Sequence, residues 1–387
     1  MNKQSSNTAA ALPVLFGFFV MGFCDVVGIS TTYMQERFEL SEWAAGFIPS
    51  MVFFWFLLFS VPSAGLMNRI GRKNTVQISN LITIIGMFLP LFFAQSLLAY
   101  VIAFVLLGIG NTILQVSLNP LLTNVVRGEA LTSSLTVGQV VKAVSSFSGP
   151  LIAAAAATQM GNWMYIFPIY AGITVLSSLW LLLKKIPAEA PVTHSTSMKA
   201  TFALLKDKQI LLLFLGIVFV VGTDVGMNTV TPKLLIERVG LDTASAGIGS
   251  SVYFLSRTAG AFLGAILLRK MHEMKYYKVH LLLTIPVMIG LFMTQSQTGI
   301  LIGVGLMGYA ISSIFPIIYS KAIQARPEKA NELSGLMITG VFGGAVVPPI
   351  MGAMANVLGN QSGSLMVISA AVLYLIVLGF GIRQTSK

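Results

Sequence analysis

Four ionisable residues fall well inside apolar stretches of this sequence: Asp25, Lys142, Asp224 and Arg257. A charge at the centre of a bilayer costs about 2.5–3.5 kcal/mol on insertion scales, so it normally faces a cavity or a partner and marks function. The plainer alternative for each is a structural ion pair or a place nearer the interface. Polar side chains at helical spacing add to the four. Asn111, Gln115 and Asn119 fall at i, i+4 and i+8 on one stripe. Gln139, Lys142 and Ser146 share a face, Asp224 and Asn228 share another, and Tyr253 lies one turn before Arg257. A lone amide in a membrane helix is usually interhelical glue, but a stripe of three argues for a ligand. The expectation is a midplane pocket in which Gln115, Asn119, Gln139, Lys142 and Asn228 hydrogen-bond a small polar solute. A sugar fits best, because its hydroxyls both donate and accept, as amides do. Phe315 and Trp55 are candidate apolar walls, with core or lipid contact the commoner use of a residue such as Trp55. Asp25 is the first candidate proton carrier and Asp224 the second. Burial raises a carboxyl pKa and a nearby ammonium lowers it, so protonation would make or break an Asp25–Lys142 pair.

The elements that position these groups follow from composition. Of 387 residues, 55% are hydrophobic and only 10% charged, with mean hydropathy +0.83. Soluble domains carry about 25% charged residues, so lipid is the solvent for much of this surface. Lipid-exposed backbone must be internally bonded, as in helices or closed barrels. Continuous apolar runs such as 98–107 and 211–221 exclude the alternation of a barrel. Twelve helical spans are predicted, near 11–34, 44–66, 75–95, 98–125, 131–157, 162–183, 208–231, 244–268, 278–296, 298–323, 331–358 and 361–383. Each is long enough to cross about 30 Å of hydrocarbon.

Taking the N-terminus as cytoplasmic, nineteen Lys and Arg lie inside and three, Arg37, Lys233 and Arg238, outside. This positive-inside bias places both termini in the cytoplasm. The net charge of +11 is therefore a topology signal, and no nucleic-acid partner is expected. The single cysteine, Cys24, excludes an intrachain disulfide and a multi-cysteine metal site. His194, His272 and His280 lack ligand spacing and read as surface residues, so neither a metal nor a cofactor is expected. The start reads as an uncleaved first span.

The loop 184–207 (KKIPAEAPVTHSTS within it) divides an N-terminal six-helix bundle, 1–183, from a C-terminal one, 208–387. Across it the sequence repeats weakly. GFCDVVG is echoed by GTDVG, WAAGFIPSMVFFWF by SAGIGSSVYFLSR, GLMNRIGRK by GAILLRKMHEMK, LQVSLNPLL by SSIFPIIYS, and FSGPLI by VVPPIMG. Asp25 and Asp224 stand 199 positions apart, as do Gly65 and Gly264. Five echoes in one order argue for a duplicated unit. Parallel repeats with a midplane site are a recurring transporter plan, and 36 glycines permit close helix approach.

GLMNRIGRK, residues 65–73 between spans two and three, resembles the G-x-x-x-D-R-x-G-R-K loop of the major facilitator superfamily. The resemblance implies a gating or structural role for Gly65, Asn68, Arg69, Gly71 and Arg72, with Asn68 replacing the family's Asp; Arg257 is assigned the same kind of role. GIGNTILQVSLNPL, GQVVKAVSSFSGP and the segment from SSIFPIIYSKAI to VVPPIMGAMAN look like the fucose:proton symporter family within it. The implied architecture is an all-α polytopic fold of two pseudo-symmetric six-helix bundles. The implied activity is secondary active, proton-coupled sugar transport by alternating access in a bacterial inner membrane, by a monomer in lipid. Departures bear on that mechanism: span four has Gln115 where sugar–proton members are acidic, and span five has Lys142 where they have Asn. Span ten has Phe315 where they have Tyr, and Asp25 lies about one turn before their span-one Asp.

Competing readings are a drug or metabolite exporter, a carrier of an anionic solute such as a sugar acid (which Lys142 would suit), and, lower, a non-transporting membrane sensor. An enzyme is not expected: paired-carboxylate, His-rich and nucleophile-elbow motifs are missing. No Walker-type loop is present, so the energy source expected is a gradient.

Overall fold

The computed structural model describes residues 8–126, 129–186, 198–268, 270–326 and 329–381. Residues 187–197 of the linker and the side chain of Asn68 lie outside the described residues, as do Lys3, Arg127, His194, Arg269, Arg383 and Lys387. Every regular element among the described residues is helical. In chain order they are α1 (Thr8–Met21), α2 (Val27–Arg37), α3 (Glu42–Phe53), α4 (Trp55–Ile70), α5 (Arg72–Phe92) and α6 (Leu97–Val125). Next come α7 (Glu129–Gln159), α8 (Ile166–Leu183), α9 (Met198–Ala203), α10 (Lys208–Val239), α11 (Thr243–Leu267) and α12 (Glu273–Met293). The last are α13 (Gln297–Ile311), α14 (Ile314–Ala325), α15 (Ala330–Thr339), α16 (Gly343–Leu358) and α17 (Ser362–Gly381). Among the described residues, eleven helical segments are long and apolar enough to cross a membrane. The other predicted span, 244–268, forms the 25-residue α11, which carries Arg257 and many small polar residues.

Helix ends are set by capping. Ser41, Ser96, Asp207, Asp242 and Ser296 accept backbone N–H groups at the starts of α3, α6, α10, α11 and α13, partners the first turn otherwise lacks. The Ser245 hydroxyl and backbone N–H hold the Asp242 carboxyl below the ordinary aspartate range. Gly240 closes α10 in the left-handed region, φ 75°, where the missing Cβ removes the penalty.

Three expectations are corrected. First, four spans are interrupted. A 3-10 turn, Gly22–Val26, separates α1 from α2, and another, Gly340–Phe342, separates α15 from α16. Phe54 divides α3 from α4, and Ser312–Ser313 divide α13 from α14. Both kinds of helix bury the same residue types, so hydropathy does not register the breaks. Second, α10 continues to Val239, so Lys233 lies inside a helix, 8% exposed, rather than in a loop. Third, His280 is buried within α12. Its ring stacks on Tyr276 at 3.7 Å between centroids, and its Nδ1 lies 3.0 Å from the Tyr276 carbonyl oxygen. His272 is exposed and caps α12 through Nδ1.

The chain divides into two compact units, Met1–Val26 with Leu58–Ser195, and Val27–Leu57 with Thr196–Lys387. In the first, α5 packs along α6 and α8, and α1 lies against both α6 and α7. In the second, α10 is the central helix, touched by α2, α11, α16 and α17, while α3 runs along α16. The segment 27–57 thus groups with residues far along the chain, through long-range packing that leaves no local trace in composition.

Candidate functional site

In the first unit the interruption of span one builds a polar cluster. At the break, the Met21 carbonyl accepts from the Asn111 amide on α6 at 2.8 Å and from the Cys24 thiol at 3.4 Å. A buried carbonyl released from a helix needs such partners. Gln115, one turn along α6, donates to the Asn111 side-chain oxygen at 2.7 Å. Two residues of the sequence stripe, Gln115 and Asn111, therefore form a connected amide chain ending on the broken span.

Asp25 sits in that turn. Its Oδ2 accepts from the Ser146 hydroxyl of α7 at 2.5 Å, and its Oδ1 faces the Cys24 thiol at 3.6 Å. Ser146 also lies 3.1 Å from the Lys142 carbonyl, but its one proton serves one acceptor at a time, and the Asp25 bond is shorter. The close approach is made by Gly22, where a Cβ would meet Ser145 at 2.6 Å and the Lys142 carbonyl oxygen at 2.7 Å. Asp25 is thereby held against the face of α7 that carries Lys142 and Ser146. Lys142 and Asn119 are half-buried and Gln139 is exposed. A carboxyl on an irregular turn, next to an amide chain and a lysine-bearing face, is equipped to exchange a proton and to hydrogen-bond a polar solute.

In the second unit Asp224 is clamped. Arg257 Nη2 lies 3.0 Å from Oδ2, and the Tyr253 hydroxyl donates to Oδ1 at 2.6 Å. Asp224 on α10 and the Tyr253–Arg257 turn on α11 thus form one charge-neutral cluster, half-buried at 17% and 35% for the charged pair. The plainer reading weighed for these two residues, an ion pair, is present. Removing one partner of a fully buried pair costs about 3–5 kcal/mol, and exposure screens this. Arg257→Met is therefore expected to lower stability by roughly 1–3 kcal/mol, with part regained in Arg257→Met/Asp224→Asn. Thermal unfolding of the purified variants in detergent measures both.

Asn228 is 2% exposed, and its backbone carbonyl accepts from the Ser250 hydroxyl at 3.0 Å. Its side chain lies over the backbone of Gly28, where any Cβ would fall on the amide. Phe315, half-buried on α14, stacks with Tyr319 at 6.2 Å. The Trp55 indole donates to the Met51 carbonyl at 2.9 Å, a bond within its own span.

The loop motif splits by role. Gly71, at φ 86°, starts α5, and Arg72 Nη1 donates to the Pro120 carbonyl at 3.0 Å and to Asn124 Oδ1 at 2.5 Å, tying α5 to the end of α6. Gly65 and Arg69 are exposed. Among the described residues no group of His, Cys, Asp or Glu is arranged to hold a metal ion.

A helical chain of this hydropathy, with ionisable groups set against broken spans, is a polytopic membrane transporter and not an enzyme. The protein belongs to the Major Facilitator Superfamily, whose family model matches residues 14–349. A putative glucose/galactose transporter of Helicobacter pylori is 27% identical over 376 residues, covering 92% of this chain and 91% of that protein. The L-fucose-proton symporter of Escherichia coli is 21% identical over 359 residues, covering 84% of this chain and 82% of that protein. Among solved structures, the nucleoside transporter NupG superposes with a TM-score of 0.78 at 14% identity, covering 97% of this chain and 98% of that one. That likeness is one of fold alone.

Proposed function

We propose that this protein carries a monosaccharide or a closely related sugar across the inner membrane of a bacterium, coupled to proton movement, as a monomer with both termini in the cytoplasm. The observation that carries the reading is the pairing of near-full-length relatives named as hexose transporters with an amide chain that ends on the turn of Asp25. The bundles 1–183 and 208–387, joined by 184–207, are the repeating units of this reading. Substrate contacts are assigned to Gln115, Asn119, Gln139 and Lys142, and to Asn228 and Phe315 of the later spans. Asp25 takes the proton: with Ser146 donating to it, the carboxylate form is satisfied, and on protonation the carboxyl becomes a donor, which changes what the neighbouring α7 face holds. Asp224, held by Arg257 and Tyr253, is a second protonation candidate. Gly65, Asn68, Arg69, Gly71 and Arg72 are assigned a gating or structural role on the cytoplasmic side, where Arg72 ties α5 to the end of α6.

Lys142 supports a second reading, in which the solute is anionic, such as a sugar acid, because an ammonium at the site would complement a carboxylate. Counterflow in proteoliposomes separates the two. Labelled D-glucose or D-galactose should exchange against the same unlabelled hexose, with sugar acids and hydrophobic cations inert. Counterflow confined to sugar acids would replace the first reading with the second, and counterflow of hydrophobic cations alone would end both.

A further inference from the structure

The second unit carries a furrow on its apolar outer surface that no part of the transport reading uses. It lies between α11 and α13 and holds about 500 Å³, within the roughly 300–1,000 Å³ of ligand pockets. Ser256 and Ala259 line one side, and Thr298, Ile302, Gly305 and Tyr309 the other. Its shape follows from residue size. A Cβ at Gly260 would meet the Tyr309 Cα at 2.9 Å, and one at Gly308 would meet the Tyr253 carbonyl oxygen at 2.7 Å. The two helices therefore touch backbone to backbone along their inner line. In front of that line stand Ser256, Ala259 and Gly305, which are too short to fill the space between the helices. The Tyr309 ring closes one end, with the buried His280 ring 5.3 Å behind it. Ala259, Ile302 and Leu306 along the furrow are exposed, so it opens sideways onto the face that meets hydrocarbon.

Position, length and lining together define the occupant. An opening onto hydrocarbon is filled from the bilayer, which excludes a polar solute. From Thr298 in the first turn of α13 to Tyr309 near its end is a rise of about 16 Å, against about 15 Å for the hydrocarbon of one leaflet. Between those ends the lining is apolar except for the Ser256 hydroxyl. Thr298 supplies a hydroxyl that can donate to an ester carbonyl. A chain leaving lipid gains no hydrophobic transfer energy, but in the furrow it gains close dispersion contacts on several sides at once. A helix from a second copy, about 10–12 Å across, would rest on the exposed rim rather than enter.

We infer that the α11–α13 furrow binds one acyl chain of a membrane phospholipid, with its ester end at Thr298 and its terminal methyl against Tyr309. The chain belongs to the outer leaflet under the proposed topology, and only that clause rests on it. Because α13 bears on the Tyr253–Arg257 turn at Gly308, the bound chain braces the turn that clamps Asp224.

The test is photolabelling of the purified protein in phospholipid nanodiscs. The probe is phosphatidylglycerol with a diazirine either beside the ester or at the chain end, and adducts are mapped by peptide mass spectrometry. The chain-end probe should mark Leu306 and Tyr309 and the ester-side probe Thr298 and Leu301. Both should exceed the adducts on the exposed residues Leu373 and Val377 of α17 by roughly fivefold. Ala259→Leu and Gly305→Leu each occupy the furrow and should cut the α13 adducts by a similar factor, leaving those on α17 unchanged. Gly305→Leu also presses on the Ser256 hydroxyl, which a Cβ would meet at 3.0 Å, whereas Ala259 is exposed and its replacement leaves the helix contact intact. Adducts on α13 no denser than on α17, or unchanged in both folded, monodisperse variants, overturn the site. A dimer whose α13 is shielded from both probes overturns it in favour of a second copy. The reverse order of the two probes along α13 upholds neither end of the assignment and overturns it. No step uses a sugar, so a failed substrate assignment leaves the result readable.

Discussion

Asp25→Asn is expected to abolish uphill accumulation while sparing exchange: the steady-state ratio of internal to external sugar falls to about one, and counterflow continues. The reason is chemical. An asparagine retains the size of Asp25 and still meets the Ser146 hydroxyl that sits 2.5 Å from Oδ2, but it no longer binds and releases a proton, so the energy of the gradient has no entry. Exchange moves substrate both ways without net proton flow and needs only the shape of the site. Proteoliposomes under an imposed pH gradient measure accumulation, and the same vesicles without a gradient measure counterflow. Intact uphill uptake by the variant rules out Asp25 as the carrier. Loss of both activities in a folded protein assigns Asp25 to substrate binding instead.

Lys142→Ala is expected to weaken substrate binding by about tenfold to a hundredfold, the range set by the roughly 1.5–3 kcal/mol that a hydrogen bond to a charged group contributes. Lys142 lies one turn before Ser146 on the α7 face that meets the Asp25 turn. Binding measured by thermal shift with titrated hexose reports the affinity, because a ligand that binds only the folded state must stabilise it. Unchanged affinity removes Lys142 from the site. A loss confined to sugar acids, with hexose binding intact, moves the protein to the anionic-solute reading.

The polar stripes show how far residue types and spacing reach. Asn111, Gln115 and Asn119 are legible as one face because helical geometry places i, i+4 and i+8 in line. What Asn111 binds was not legible, since its partner is a carbonyl 90 residues away, exposed by a break that hydropathy does not register. Asp224 and Arg257 stood out as charges in apolar surroundings, but their union depends on how α10 meets α11. Lys233 was misplaced for a related reason. A lysine near an apolar boundary reads as a loop residue, and only a carboxylate brought from Glu42 lets it stay within the helix at 8% exposure. His280 likewise reads as a surface group until Tyr276 and the turn above it supply stacking and a carbonyl.

Composition was enough to establish a lipid-embedded helical chain, because 10% charged residues do not cover a water-facing surface of this size and unpaired backbone is excluded from hydrocarbon. The motif between spans two and three, together with the repeat, was enough to indicate the superfamily. Tertiary structure decided which charges are partnered, where spans one, two, ten and eleven break, and that Val27–Leu57 packs with residues beyond Thr196. Solvent preference is a property each residue carries locally and sums along the chain, whereas an ion pair or a satisfied carbonyl exists only between segments that folding brings within about 3 Å.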